Sequence, residues 1–147
     1  MNKTFSTARL VAVLIFALVS ESSWALEVTM DLKARGGVYP VIEGTTNLPD
    51  GVDVMITLII PGVYMGQSQT VISNGKFVSE RFSSNGNSPV PSGIARVDVT
   101  TSLPDLQATS VRSIIGEQGE KMTGPFIFTL PGFPGRTIKV STTLQIP

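Results

Sequence analysis

Cysteine and histidine are both absent from the 147 residues, and each absence removes a class of chemistry. Without cysteine there is no disulfide framework and no residue to carry a lipid tether, so core packing alone must hold the fold. Without histidine the chain lacks the side chain most often used to move protons near neutral pH, and the commonest metal ligand. A serine nucleophile would need a lysine or a terminal amine as its base. Charge is also scarce and balanced, with 11 basic and 11 acidic residues and no cluster of either sign. Such a surface offers no footprint for a phosphate backbone or anionic lipid, so no nucleic-acid partner is expected. No apolar run is long enough to span a bilayer: Leu10 to Val19 covers ten residues, about half of the roughly 20 that a membrane helix needs.

That short run has a different use. Lys3 and Arg9 precede it, and Ser20 to Ala25 follows with small residues at Ser23 and Ala25, the layout of a secretory signal peptide cut at about Ala25-Leu26. The expectation is therefore an exported protein, periplasmic or extracellular. Its mature part, residues 26–147, is the size of one domain and carries nine basic against ten acidic residues.

The mature sequence reads as strands. Leu26 to Ala34 alternates apolar and polar residues, Val38 to Glu43 is extended with Pro40 at its entrance, and Val52 to Ile60 alternates most strongly, with extra apolar residues on its second face. Gln67 to Ile72 and Phe77 to Phe82 flank Asn74-Gly75, a tight-hairpin signal. Ser83 to Gly93 reads as a long exposed polar loop. Ile94 to Thr101 resumes a strand. Val111, Ile114 and Ile115 favour a short helix in Leu106 to Ile115, in competition with another strand. Phe126 to Leu130 and Thr137 to Ile146 close the chain. About seven to nine strands joined by Gly/Pro-rich turns predict an all-β antiparallel sandwich, with an open barrel as the alternative.

Gly44-Thr-Thr-Asn-Leu-Pro-Asp-Gly51 before an alternating strand, with Val71 to Phe77 and Val111 to Gly124, resembles an immunoglobulin-like module of bacterial exported proteins and lipoproteins. The likeness covers about residues 38 to 124 and implies a fold and a compartment. The chain departs from the lipoprotein examples in having no cysteine at the processing site. Within this segment Gly44, Asn47, Pro49, Asp50 and Gly51 are expected to shape a structural turn, with local side-chain bonds from Asn47 and the threonines. Asn47, Asp50 and Asp53 together supply too few oxygens for Ca²⁺, which takes about six to eight. No metal or cofactor is expected.

Paired acids point weakly to glycoside hydrolysis: Glu117 with Glu120, and Asp50 with Asp53, sit among glycines where solvated charges are ordinary. Aromatic residues give a better signal. Phe126 and Phe128 suit the end of a core, whereas Tyr64, Met65 and Phe133 fall in or beside turns and are the candidate binding residues. The leading expectation is a non-enzymatic module that binds a protein or an envelope component through loops or an unpaired strand edge. The alternatives are a structural subunit of a surface assembly, joined by strand addition through Leu26 to Ala34, and a proteinase inhibitor presenting Ser83 to Gly93 or Pro131 to Gly135.

Overall fold

Period-two burial settles which residues face the interior. The computed structural model describes residues 24–147; the expected signal peptide lies outside them, apart from Trp24 and Ala25. The strands are β1 (Leu26–Glu27), β2 (Met30–Arg35), β3 (Val41–Thr46), β4 (Asp53–Ile60), β5 (Tyr64–Val71), β6 (Lys76–Val78), β7 (Gly93–Thr101), β8 (Met122–Thr123), β9 (Ile127–Phe128) and β10 (Thr137–Ile146). A 3₁₀ turn at Pro104–Leu106 leads to the single helix among the described residues, α1 (Thr109–Ile115).

Two antiparallel sheets share one core, the layout of a β-sandwich. One has the order β2-β3-β6 and the other β5-β4-β7-β10-β9, while β1 and β8 form a separate parallel pair. Strand β4 is central, laddered to β5 on one side and β7 on the other. Its Val54, Ile56 and Leu58 are fully buried and meet Val97 and Val99 of β7, with Ile42 and Phe77 arriving from the facing sheet. Each such aliphatic side chain contributes about 1.5–3 kcal/mol on burial. In a chain without disulfides this packing carries the fold.

Four expectations are corrected. Leu26 to Ala34 is not one strand: it breaks at Val28-Thr29, because Thr29 N–H donates to Asn47 Oδ1 (2.9 Å) and Thr29 C=O accepts from Thr46 Oγ1 (2.7 Å), so neither group enters a ladder. Asn74-Gly75 does turn the chain, with positive φ at both residues and backbone bonds between Ser73 and Lys76. Its arms then diverge, β5 pairing with β4 while β6 crosses to β3. Phe77 drives that crossing: its buried ring lies over Gly44 of β3, filling the space a side chain there would take. The segment Ser83 to Gly93 is an exposed loop from Asn85 to Pro89 as expected, but it is pinned at Val90, which is buried and donates its N–H to Val38 C=O (2.9 Å). Finally, the return strand expected to reach Phe82 is laddered only over Lys76–Val78, and Phe126 to Leu130 only over Ile127–Phe128. Between Val111 and Ile115 the helical spacing prevails, and both residues are buried on one face of α1.

Candidate functional site

The segment Gly44 to Gly51 acts at longer range than its turn chemistry suggests. Gly44 belongs to β3 rather than to a turn. Asn47 reaches back 18 to 20 residues, accepting from Thr29 N–H and donating through Nδ2 to Glu27 C=O (2.7 Å), and so fastens the connection between β1 and β2. Asp50 Oδ1 accepts from Asn74 N–H (2.8 Å), tying this turn to the tight turn beyond β5. Pro49 is half-buried between them, and Gly51 takes φ +90 while its N–H donates to Ile72 C=O (2.9 Å). Asn47 and Asp50 thus spend these oxygens on backbone amides from different parts of the chain.

Glu117 and Glu120 are both held locally. Glu120 folds over Gly116, and hydrogen bonds from its own amide and that of Gln118 hold its carboxyl below the usual range. Glu117 lies 3.3 Å from Arg112, whose guanidinium also contacts the Asp105 and Gln107 carbonyls at the turn into α1. Asp98 is the most covered carboxylate on the outer face of the larger sheet, accepting from Ser141 Oγ (2.7 Å) and Arg96 Nε (3.1 Å) and so joining β7 to β10. Ser73 and Lys76 have the Ser-x-x-Lys spacing of some nucleophilic sites. Here both residues are the paired stems of the Asn74-Gly75 turn.

The candidate binding residues do not converge. Tyr64 and Met65 lie inside β5 rather than on a loop, opposite Ile60 and Ile59. Tyr64 turns inward, its hydroxyl donating to Ser83 C=O (3.1 Å), and burial raises its pKa above the ordinary value. Met65 is exposed on the outer face. Phe133 is on the loop before β10, as expected, and is exposed. That loop enters β10 at Thr137, whereas the Tyr64 end of β5 follows the register through Ile60 to the level of Ala95 and Leu144, toward the other end of the same strand. Seven residue steps of strand, about 23 Å, separate the two levels along β10.

The feature that does converge is the side of the sandwich where β2 and β10 are the facing strands. Strand β10 is laddered to β7 over Lys139 to Ile146, but on its other side β9 covers only Thr137 and Ile138. Lys139 N–H donates to Phe126 C=O on that side (2.9 Å). By alternation the N–H and C=O groups of Ser141, Thr143 and Gln145 also point away from β7, along an edge on which no strand of the described residues lies. Strand β2 is likewise the edge of its sheet. Ile42 N–H donates to Ser79 Oγ and its C=O accepts from Ser79 N–H, so even-numbered residues of β3 face β6 and odd-numbered ones face β2. The register of β2 on β3 then directs Asp31, Lys33 and Arg35 inward to β3, and leaves the backbone groups of Met30, Leu32 and Ala34 on the open edge.

Between these edges lies a groove of about 210 Å³ lined by Leu32, Ala34, Ile42, Val97, Thr142 and Leu144. Leu32, Val140 and Leu144 pack on the core while remaining only half-buried. A larger depression, about 570 Å³, opens near the outer face of the smaller sheet, where Asp31, Lys33, Glu43 and Lys76 mix both signs of charge. The sequence pattern marks Thr137 to Ile146 as a strand, but it carries no sign that the strand ends its ladder halfway. Such information resides in how far β9 extends beside it. Comparisons with protein-family models, curated proteins and solved structures find no match to this chain.

Proposed function

We propose that this chain is an exported, non-catalytic immunoglobulin-like module that binds a polypeptide partner of the cell envelope or exterior through the open side between β2 and β10. The observation that carries it is the unpaired edge of β10 from Ser141 to Gln145 beside a partly apolar groove. Unsatisfied backbone donors and acceptors in a row accept an extended strand, and the adjoining pockets for alternate side chains give selectivity. The immunoglobulin-like reading draws support from the strand partition: β2, β3 and β6 lie in one sheet and β4, β5, β7 and β10 in the other, with the chain crossing between sheets after β3, β5 and β6. Export rests on the signal-peptide layout of Met1 to Ala25. The non-catalytic reading rests on the absence of histidine and cysteine and on carboxylates engaged by backbone amides, Asp50 by Asn74 and Glu120 by Gln118.

Thr143→Pro tests the binding edge. It removes one N–H that points away from the β7 ladder, and proline is tolerated at such edge positions. In affinity capture from the source envelope, the wild-type protein is expected to retain a partner that the variant loses, with melting temperatures within a few degrees of each other. Equal capture of the same partner by a folded Thr143→Pro variant would place binding elsewhere.

A further inference from the structure

We propose that the edge of β2 pairs antiparallel with β2 of a second copy of this chain, about a two-fold axis at Leu32, so that the two smaller sheets become one continuous sheet. This rests on the reading of the open side as a binding surface and names one of its occupants.

The register with its axis at Leu32 makes the strand self-complementary in backbone and side chains together. Met30, Leu32 and Ala34 direct their free N–H and C=O groups outward. With the axis at Leu32, Met30 faces Ala34 of the copy, Leu32 faces Leu32, and all three positions exchange backbone bonds, about six in total. The side chains then agree with the backbone. Asp31 lies opposite Lys33 of the copy and Lys33 opposite its Asp31, two opposite-charge pairs on the exposed face. On the inner face the two half-buried Leu32 side chains cover one another. Moving the axis by one residue to Lys33 loses Met30 from the ladder and sets Lys33 against Lys33, which is destabilising, and the Asp31–Arg35 pairs it forms instead draw on an arginine already bonded to Glu43 of β3. A lysine on an edge strand ordinarily discourages pairing. Here Asp31, two residues before it, turns that repulsion into a register selector. The isologous symmetry counts every change twice.

The lack of cysteine makes the register directly readable. Leu32→Cys puts two sulfurs on the axis, at a backbone-bonded pair with Cα atoms about 5.5 Å apart, inside the range a disulfide accepts. Lys33→Cys leaves its sulfurs on diagonal positions about 8 Å apart, outside that range. Mild oxidation of the purified full protein is expected to yield disulfide dimers from Leu32→Cys and few from Lys33→Cys. Sedimentation equilibrium is expected to show a reversible dimer whose dissociation constant rises about tenfold in Asp31→Lys, from two reversed pairs worth about 0.7 kcal/mol each. The double exchange Asp31→Lys with Lys33→Asp should restore it. A monomer at millimolar concentration, preferential cross-linking at Lys33→Cys, or a double exchange no better than the single one would overturn the proposal. A monomer whose Thr143→Pro variant still loses its envelope partner would overturn the dimer alone; retention of that partner by Thr143→Pro, with Leu32→Cys cross-linking intact, would overturn the partner reading alone.

Discussion

Gly44→Ala is expected to destabilise the protein by about 2–3 kcal/mol, although it adds a single methyl group to a strand where alanine has an acceptable backbone. Gly44 lies in β3 between Leu32 of β2 and Phe77 of β6 in one cross-strand row. A Cβ at this position overlaps the Phe77 ring. The ring is itself buried, at 3% exposure, so it has no open side to retreat to. The diagnostic is the coupling. In a Phe77→Leu background, which shortens the side chain over the glycine, Gly44→Ala should cost less than half as much, because the overlapping atoms are gone. Urea unfolding of the four proteins in this cycle measures it. Additive losses would mean that Gly44 is needed for some reason other than the ring above it.

Ile56→Ala should cost about 3–4 kcal/mol, while Met55→Ala, one residue earlier, should cost less than about 1 kcal/mol. Both residues sit in the middle of β4, the strand laddered on both sides, so secondary-structure propensity and position in the chain are nearly matched. They differ in face. Ile56 is fully buried opposite Val99, within the shared core. Met55 is half-buried on the outer face between Gln69 and Thr100. A cavity at Ile56 is walled by two sheets that cannot collapse on it independently. Paired denaturation curves for the two variants read the period-two burial directly, and similar losses would contradict the assigned faces.

Much of the β architecture was legible in the sequence, for a physical reason. Where a strand is buried on one face, as in β4 and β7, the period-two pattern is imposed by the core, and Val52 to Ile60 and Ile94 to Thr101 display it openly. The helix α1 was visible in the spacing of Val111 and Ile115 for the same reason. What escaped was pairing. Asn74-Gly75 specifies a tight turn, but no local rule says that the chain leaving it must cross to the other sheet; that depends on Phe77 finding Gly44, 33 positions away in the sequence. Asn47 was legible as a backbone-bonding residue, yet its partners at Glu27 and Thr29 come from another segment. The binding candidates show the same limit. Tyr64 and Met65 follow Pro61-Gly62 closely enough to suggest a loop, but the turn there is short and β5 begins at Tyr64 itself. The open edge of β10 has no local signature at all, because an edge is defined by the strand that is not beside it.

Partner binding requires that edge to be both free and receptive. Amide hydrogen exchange on the uniformly labelled protein addresses it residue by residue, first alone in dilute solution and then saturated with the captured envelope partner. In the free protein Val140, Thr142 and Leu144, bonded into the β7 ladder, should exchange slowly, while Ser141, Thr143 and Gln145 exchange fast, an alternation along one strand. With the partner bound, the fast set should slow toward the rate of its neighbours. Protection of Ser141, Thr143 and Gln145 in the free monomer, or their continued fast exchange in the saturated complex, would contradict the proposal that β10 receives the partner's strand.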